Sequence, residues 1–400
     1  MVAQQERLRV MLLLPSLHGG GAERVAVNIL NHADRERFDI RIGLLRRSGP
    51  YLDDVDRSRV DASFIGERFL DFDQGDAKVY RPASLALRVA LTPVNAIAMM
   101  RRFRPDVVMS FRKGMSIVAW GAMLLYGPGR PRWIAREGNN TLAVIDAELD
   151  GRAARAAVRR LTGRCYRSAD RLLTISYEMA DALKRDLPLR PDRVRTIHNA
   201  VDIAAVQEKS RETVDVPEGR YLVSVGRLEY QKGYDALVRA FAKSDARESH
   251  RLVIVGRGSE EGALRSLAKE LAVEDRLVLP GWASNPWAYL AHAEAFVLSS
   301  RWEGFGNVVI ESLACGLPTL VTDCDFGPKE IVQHDESGIV FPTDYVDAMA
   351  AAISRVATDE GLRKRLGAAG VERAQDFDVP VIVRRYEDLF LEAAGRSRIS

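Results

Sequence analysis

Short runs of Val, Leu and Ile return along this chain in two separate series, and that repetition limits the fold more than any other feature. The first series reads LRVMLLLP (8–15), FDIRIGLL (38–45), DVVMSF (106–111), RWIARE (132–137) and RLLTIS (171–176). After VRTIHNAVD (194–202) a second begins: YLVSVG (221–226), RLVIVG (251–256), RLVLPG (276–281), AFVLSS (295–300), PTLVTD (318–323) and GIVFPT (338–343). Longer amphipathic stretches separate the runs, as alternating strands and helices require. Continuous apolar runs belong to strands buried on both faces, and hence to parallel sheets covered by helices. The chain is therefore expected to be α/β, with two doubly wound Rossmann-like domains in tandem. Ligands of such domains sit at the carboxyl ends of the strands, so two domains facing one another would enclose a cleft there.

Length agrees with this, since 400 residues fit two or three domains of ~100 to 200 residues each. Cys165, Cys315 and Cys324 are odd in number and far apart, which suits neither a zinc site nor a disulfide framework and points to a reducing compartment. The first apolar run is short and has no small-residue cleavage site behind it, so it reads as a buried strand and not as a signal peptide. Nowhere do about 18 apolar residues run together, as a membrane-spanning helix would need. A cytoplasmic location is the expectation. The net charge of +3 hides an asymmetry: residues 1–200 carry 34 Lys+Arg against 23 Asp+Glu, or +11, while residues 201–400 carry 24 against 32, or −8. The halves should meet different partners, or each other.

The chemistry lies at the strand ends. In SLHGGGAERVAVNIL, Gly19, Gly20 and Gly21 allow close backbone approach, and the helix behind them presents free N–H groups. Their spacing matches neither the GxGxxG fingerprint nor a P-loop, and glycines in such a turn also have a purely structural use. In SVGRLEYQKGYDALVRAF, Gly226 ends a strand, and Arg227 and Lys232 bracket a loop before a helix starting near Tyr234. Two cations beside a helix N-terminus suit a phosphate or diphosphate, although exposed loop cations would look the same. VIVGRGSE repeats the pattern with Gly256, Arg257 and Gly258. In SSRWEGFGNVVIESLACGLP, a strand leads through a glycine-rich turn into a helix that Gly316 ends and Pro318 prevents from continuing. Gly304 and Gly306 stand just before its first turn, where the helix dipole favours negative charge. Glu303 lies in the turn and Glu311 one turn into the helix. Two carboxylates around one anion site fit a ligand with hydroxyls on both sides of a diphosphate, which is a sugar nucleotide.

Taken together, EGFGNVVIESLACGLP, SVGRLEYQKG, VGRG and HGGGAERV resemble the retaining nucleotide-sugar glycosyltransferases of family 4. These have the GT-B architecture of two Rossmann-like domains facing across a cleft, and the resemblance extends from about residue 8 to YEDLF near residue 390. GGGAERV, SFRKG, AREGNN and VTDCDFGPKEIV are closer to members that add hexoses or N-acetylhexosamines to lipid-linked or surface polysaccharide intermediates. The resemblance implies an acceptor-side domain over 1–198, a donor domain over 199–378, and a last helix over 379–400 crossing back to the first domain. The segment DFDVPVIVRRYEDLFLEAA supports that helix, with Val379, Val383, Tyr386 and Phe390 at helical spacing behind Asp378 and Pro380.

By the same resemblance, Arg227 and Lys232 hold the donor diphosphate, Glu303 the hydroxyls of the transferred sugar and Glu311 the ribose. Backbone amides of Gly304, Phe305, Gly306 and Asn307 line sugar and phosphates, Gly256 and Arg257 belong to the donor side, and Gly20 and Gly21 close over the diphosphate. The implied chemistry lengthens the bond to the anomeric carbon into an oxocarbenium-like state while preorganised cations stabilise the departing diphosphate, of a UDP-sugar by preference. Many members place a first-domain histidine against the sugar; SFRKG and AREGNN contain none. Arg112, Glu137 or Asn139 are candidates for that space, with His18 near the glycine loop, while His198 reads as a hinge residue. Asp71-Phe72-Asp73 and Asp323-Cys324-Asp325 have a metal-binding DxD form, but Arg227 and Lys232 already supply positive charge, so no metal or cofactor is expected. The first reads as surface loop and the second as part of the site wall.

The expected partners are a nucleotide-sugar, a lipid-linked saccharide and, through the arginine-rich segment 152–167, the anionic inner face of the cytoplasmic membrane, but no nucleic acid. Two alternatives use the same fold or cleft: a sugar-nucleotide epimerase, which would need other catalytic acids, and a non-catalytic two-domain sugar-binding protein, which the absent signal peptide disfavours.

Overall fold

The computed structural model describes residues 6–18, 20–62, 82–138, 145 and 151–396. The chain divides into two compact units, one of residues 1–199 with 382–400 and the other of residues 200–381. The first boundary falls between Asn199 and Ala200, inside the VRTIHNAVD segment. The second falls inside the last helix.

The first unit is built on β1 Leu8–Leu14, β2 Phe38–Leu44, β3 Val60–Ala62, β4 Val107–Phe111, β5 Arg132–Glu137, β6 Arg171–Thr174 and β7 Val194–Thr196. All pair in parallel, in the order β3-β2-β1-β4-β5-β6-β7. Its described helices are α1 Gly21–His32, α2 Pro82–Phe103, α3 Arg112–Tyr126, α4 Arg152–Ser168 and α5 Tyr177–Asp186. The five apolar runs of the sequence all form strands. β3 and β7 were not among them, because a three-residue edge strand has no room for a run. Every residue of β4 is buried, which is why its sequence shows no polar alternation.

The second unit carries α6 Ile203–Lys209, β8 Tyr221–Val225, α7 Tyr234–Lys243, β9 Arg251–Val255, α8 Glu261–Glu270, β10 Leu277–Gly281, α9 Pro286–Ala291 and β11 Ala295–Leu298. It continues with α10 Asn307–Ala314, β12 Thr319–Thr322, α11 Pro328–Ile331, β13 Gly338–Phe341, α12 Val346–Thr358 and α13 Glu360–Ala374. The sheet is again parallel, in the order β10-β9-β8-β11-β12-β13. A core of α7, α8, α12, α13 and strand side chains, including Leu237, Phe241, Leu264, Ile353 and Leu366, covers one face of it. The last helix, α14 Val379–Ala394, starts in this unit and continues in the first.

In each unit the strand order reverses between two neighbours, β1 and β4 in the first and β8 and β11 in the second. Helices on either side of a reversal lie on opposite faces, so the carboxyl ends of those two strands are left open to a ligand. The candidate residues lie there.

Candidate active site

In the second unit, the loop after β8 and the loop after β11 meet at the reversal. Gly233 makes the meeting possible: its φ is +62°, and a Cβ there would stand 2.2 Å from the Ser299 carbonyl oxygen. Gly256, after β9, is similarly constrained, since a Cβ would lie 1.8 Å from the Gly226 carbonyl oxygen. Both glycines let backbone approach backbone where any side chain would clash. The loops are also stitched by hydrogen bonds. Gln231 Nε2 donates to the Trp302 carbonyl (2.9 Å), the Arg301 amide donates to the Gln231 carbonyl (2.8 Å), and Ser299 Oγ donates to the Lys232 carbonyl (2.8 Å).

This brings together two groups that the sequence separates by 71 positions. Lys232 Nζ donates to Glu303 Oε1 at 2.6 Å, with the side chains 14% and 8% exposed. Ser300 Oγ donates to the same oxygen at 2.6 Å. The carboxylate is thus oriented through Oε1, and Oε2 has no hydrogen bond among the described residues. An ammonium has three donors, and the pair uses one. The arrangement leaves a carboxylate oxygen for a hydroxyl and ammonium hydrogens for an anion. Tyr234 lies beneath, buried; burial raises its phenol well above the ordinary value, against a hydrogen bond with Ser224, and the Glu303 charge adds to the rise. Cys324, on the other side, is pushed up to about 12 by burial and by the Glu303 charge, so it stays a thiol.

Arg227 is exposed and donates to Gln231 Oε1 at 3.3 Å, which holds it on the same loop as Lys232. Arg257 is exposed at the end of β9, and a Cβ on Gly281 would stand 3.3 Å from its Nε, so its guanidinium lies over the end of β10. Beyond Glu303, Gly304 and Gly306 are half-buried, whereas the Phe305 ring is buried and tilted against Phe377 at 6.1 Å. Only the Phe305 backbone is left to the turn. Asn307 opens α10 directly behind Gly306, which has a φ of +88° and no side-chain cap. Glu311 is half-buried one turn on, and its charge adds to the burial that pushes Cys315 up to about 12. Asp323 is taken up by the Thr343 amide and hydroxyl (2.9 and 3.1 Å), while Asp325 is exposed.

The reversal in the first unit gathers a second set. Gly20 caps α1, Gly21 begins it, and the exposed His18 precedes them. Arg112 stands at the β4-to-α3 junction with a φ of +71°, a backbone region that costs a non-glycine residue ~1–3 kcal/mol. Its guanidinium reaches the buried Glu23 of α1 at 3.4 Å, which joins the glycine loop to the end of β4. Glu23 was absent from the sequence-based candidates. Glu137 turns inward instead: Tyr166 OH donates to its Oε2 and the Gly138 amide to its Oε1 (3.0 Å). His198 is buried, edge-on to Tyr177 at 5.3 Å. Asn139 and the Asp71–Asp73 segment lie outside the described residues.

Comparison with known proteins agrees along the chain. The model of the family described as Glycosyltransferase Family 4 matches residues 19–205, and that of Glycosyl transferases group 1 matches residues 206–373. The chain is 33% identical over 219 residues to the Campylobacter jejuni N-acetylgalactosamine-N,N'-diacetylbacillosaminyl-diphospho-undecaprenol 4-alpha-N-acetylgalactosaminyltransferase, a match covering 55% of this chain and 59% of that relative, less than two thirds of its length. It is 28% identical over 373 residues to the lipopolysaccharide core biosynthesis glycosyltransferase LpsD of Rhizobium meliloti, covering 93% of this chain and 95% of the relative. Among solved structures, Anabaena HepE in complex with UDP and glucose is similar in fold, with a TM-score of 0.73 at 19% identity over 96% of this chain and 99% of that one. Two consecutive family matches and two parallel sheets with their strand-end residues lead to one conclusion: the chain belongs to the family 4 glycosyltransferases and has the GT-B fold.

Proposed function

We propose that the chain is a retaining, metal-independent glycosyltransferase that moves a hexose or N-acetylhexosamine from a nucleotide-diphosphate sugar, UDP-sugars being favoured, to a lipid-linked or polysaccharide acceptor. The observation that carries this reading is the Lys232–Glu303 pair, with Ser300 bound to the same carboxylate oxygen. Lys232, with Arg227, stabilises the negative charge that develops on the diphosphate as its bond to the anomeric carbon breaks. Glu303 Oε2 accepts from a hydroxyl of the transferred sugar, and Glu311 accepts from the ribose. The acceptor hydroxyl oxygen forms the new bond to the anomeric carbon as the bond from that carbon to the diphosphate breaks, and the hydroxyl proton leaves with the nucleoside diphosphate. A first relative named for transfer to a diphospho-undecaprenol saccharide, a second for lipopolysaccharide core biosynthesis, and a fold neighbour crystallised with UDP support the substrate classes. An acceptor of that kind places the enzyme at the inner face of the cytoplasmic membrane.

The test is transfer from a panel of labelled sugar nucleotides to lipid-linked saccharides. Glycosylated product and free nucleoside diphosphate in equal amounts are expected with at least one donor. Binding without product, or donor epimerised without an acceptor, would replace this reading with a binding protein or an epimerase.

A further inference from the structure

From Gly114 to Tyr126, α3 carries no charged side chain. Its inner face packs on the sheet through Met115, Ala119, Ala122 and Met123. Its outer face, where a helix of a soluble protein ordinarily places its charges, has Ile117, Leu124 and Leu125 instead, the two leucines 68% and 63% exposed. The apolar surface continues onto both neighbours. On α2, Val94 is exposed beside Pro93, and Pro93 stands against Gly121 of α3, where a Cβ would lie 3.1 Å from its Cγ. On α4, Leu161 is exposed, and Cys165 Sγ meets the Ser116 carbonyl of α3 at 3.4 Å. The connections β3-α2-β4, β4-α3-β5 and β5-α4-β6 all step in one direction along the sheet. Right-handed crossovers therefore lay the three helices side by side on one face.

Cations frame this surface. α4 has six arginines and no acidic residue. Arg152, Arg160, Arg164 and Arg167 are exposed, and among the described residues none has a carboxylate partner. Arg155 and Arg159 are half-buried and engaged, and do not enter the argument. On the far side, Arg101 closes α2 and lies over the Tyr126 ring at 5.7 Å.

We propose that the α2–α3–α4 face of the first unit docks on an anionic bilayer, with Leu124 and Leu125 entering the boundary between headgroups and acyl chains while the arginines of α4 and Arg101 meet lipid phosphates. Aliphatic side chains framed by one sign of charge are the pattern of an interfacial helix. A second copy of the chain fits worse, because a symmetric contact would set arginines against arginines. The inference deepens the proposed lipid-linked acceptor reading, on which its purpose rests, but its test uses neither donor nor acceptor.

The test is sedimentation of the full chain with phosphatidylcholine vesicles, with and without phosphatidylglycerol, at low and high salt. The chain should bind the anionic vesicles and keep a fraction bound at high salt. Arg160→Gln, Arg164→Gln and Arg167→Gln should each lower low-salt partitioning by about fivefold. The double variant Leu124→Gln/Leu125→Gln should lose the salt-resistant fraction, by at least about tenfold. All these residues are exposed, and unchanged thermal unfolding verifies that the variants fold. No binding, binding fully reversed by salt, binding indifferent to both sets of variants, or lipid-free self-association that the leucine variant abolishes would each overturn the proposal. A chain that binds vesicles but transfers no sugar leaves this face assigned and removes the catalytic reading.

Discussion

Glu303 serves two partners through one oxygen, and this division determines what removing either partner should do. Without Lys232 the carboxylate keeps only the Ser300 hydrogen bond and loses its compensating charge, and in the proposed reaction the leaving diphosphate would lose a donor. Lys232→Ala should therefore lower turnover by ~10²-fold or more, the scale of one lost electrostatic donor. EDTA should leave the wild-type rate largely intact. Both are read from initial rates of transfer, and an enzyme silenced by EDTA and restored by magnesium or manganese would reassign the charge to a metal. Glu311 is a separate case, because it lies in the helix and not in the turn. Glu311→Ala should weaken binding of the free nucleoside diphosphate by the ~1.5–3 kcal/mol of a charged hydrogen bond, measured by calorimetry. Unchanged affinity would remove Glu311 from the site. The individual members of this site were legible as residue types at strand ends. The ion pair was not, because it depends on β8 lying beside β11, and no local pattern between residues 232 and 303 encodes that sheet order.

At the scale of elements, the six runs of the second series all became strands, since each is an unbroken apolar segment closed by a glycine, proline or polar turn. What sequence periodicity misses is how the opposite ends of those strands are tied. Below the sheet, Arg220 leads into β8, Glu294 leads into β11, and Arg363 comes from α13. Glu294 accepts from Arg220 Nε at 2.6 Å and from the buried His250 at 3.0 Å, with Arg363 at 3.6 Å. Burial alone would raise the Glu294 carboxyl, but the hydrogen bonds from Arg220 and His250 outweigh it and hold the group down to about 2. Burial lowers His250, against its bond to Glu294. A carboxyl depressed in the folded state contributes stability that is present above its unfolded value of ~4.3 and is lost as pH falls towards 2. A histidine depressed in the folded state likewise costs stability as pH falls below its unfolded value of ~6.5, because the unfolded chain then binds the extra proton. Glu294→Gln should therefore be less stable than wild type at pH 7, with the difference shrinking as pH falls from ~4.3 towards 2. Urea midpoints across that range test this; a constant difference would mean that the network acts by packing and not by charge.

At the scale of the whole molecule, the chain leaves the first unit at Asn199 and returns at Ile382, so the first unit is completed only by the last residues of the sequence. Those residues belong to its core. Ile382, Tyr386 and Phe390 are fully buried, Phe390 packs on Phe38 with ring centroids 6.4 Å apart, and Glu387 accepts from the Asp34 amide at 2.7 Å. Arg136, buried at the end of β5 and without a carboxylate partner among the described residues, donates to the Tyr386 hydroxyl at 3.0 Å and to Asn199 Oδ1 at 2.7 Å. Removing the helix would leave that guanidinium short of a partner and delete two large aromatic side chains, each worth ~3–5 kcal/mol when truncated in a core. Against a total stability of ~5–15 kcal/mol, such a loss is enough to unfold a domain. The second unit, by contrast, is one continuous stretch from Ala200 to Val381 with its own core. A chain ending at Val381 should therefore have a folded second unit that still binds nucleoside diphosphate, and an unfolded first unit. Amide hydrogen exchange distinguishes the two: β8, β9 and β11 should keep wild-type protection while β1, β4 and β5 lose it. Protection surviving in β1 and β4 would show that the first 199 residues hold their sheet without the helix that closes the sequence.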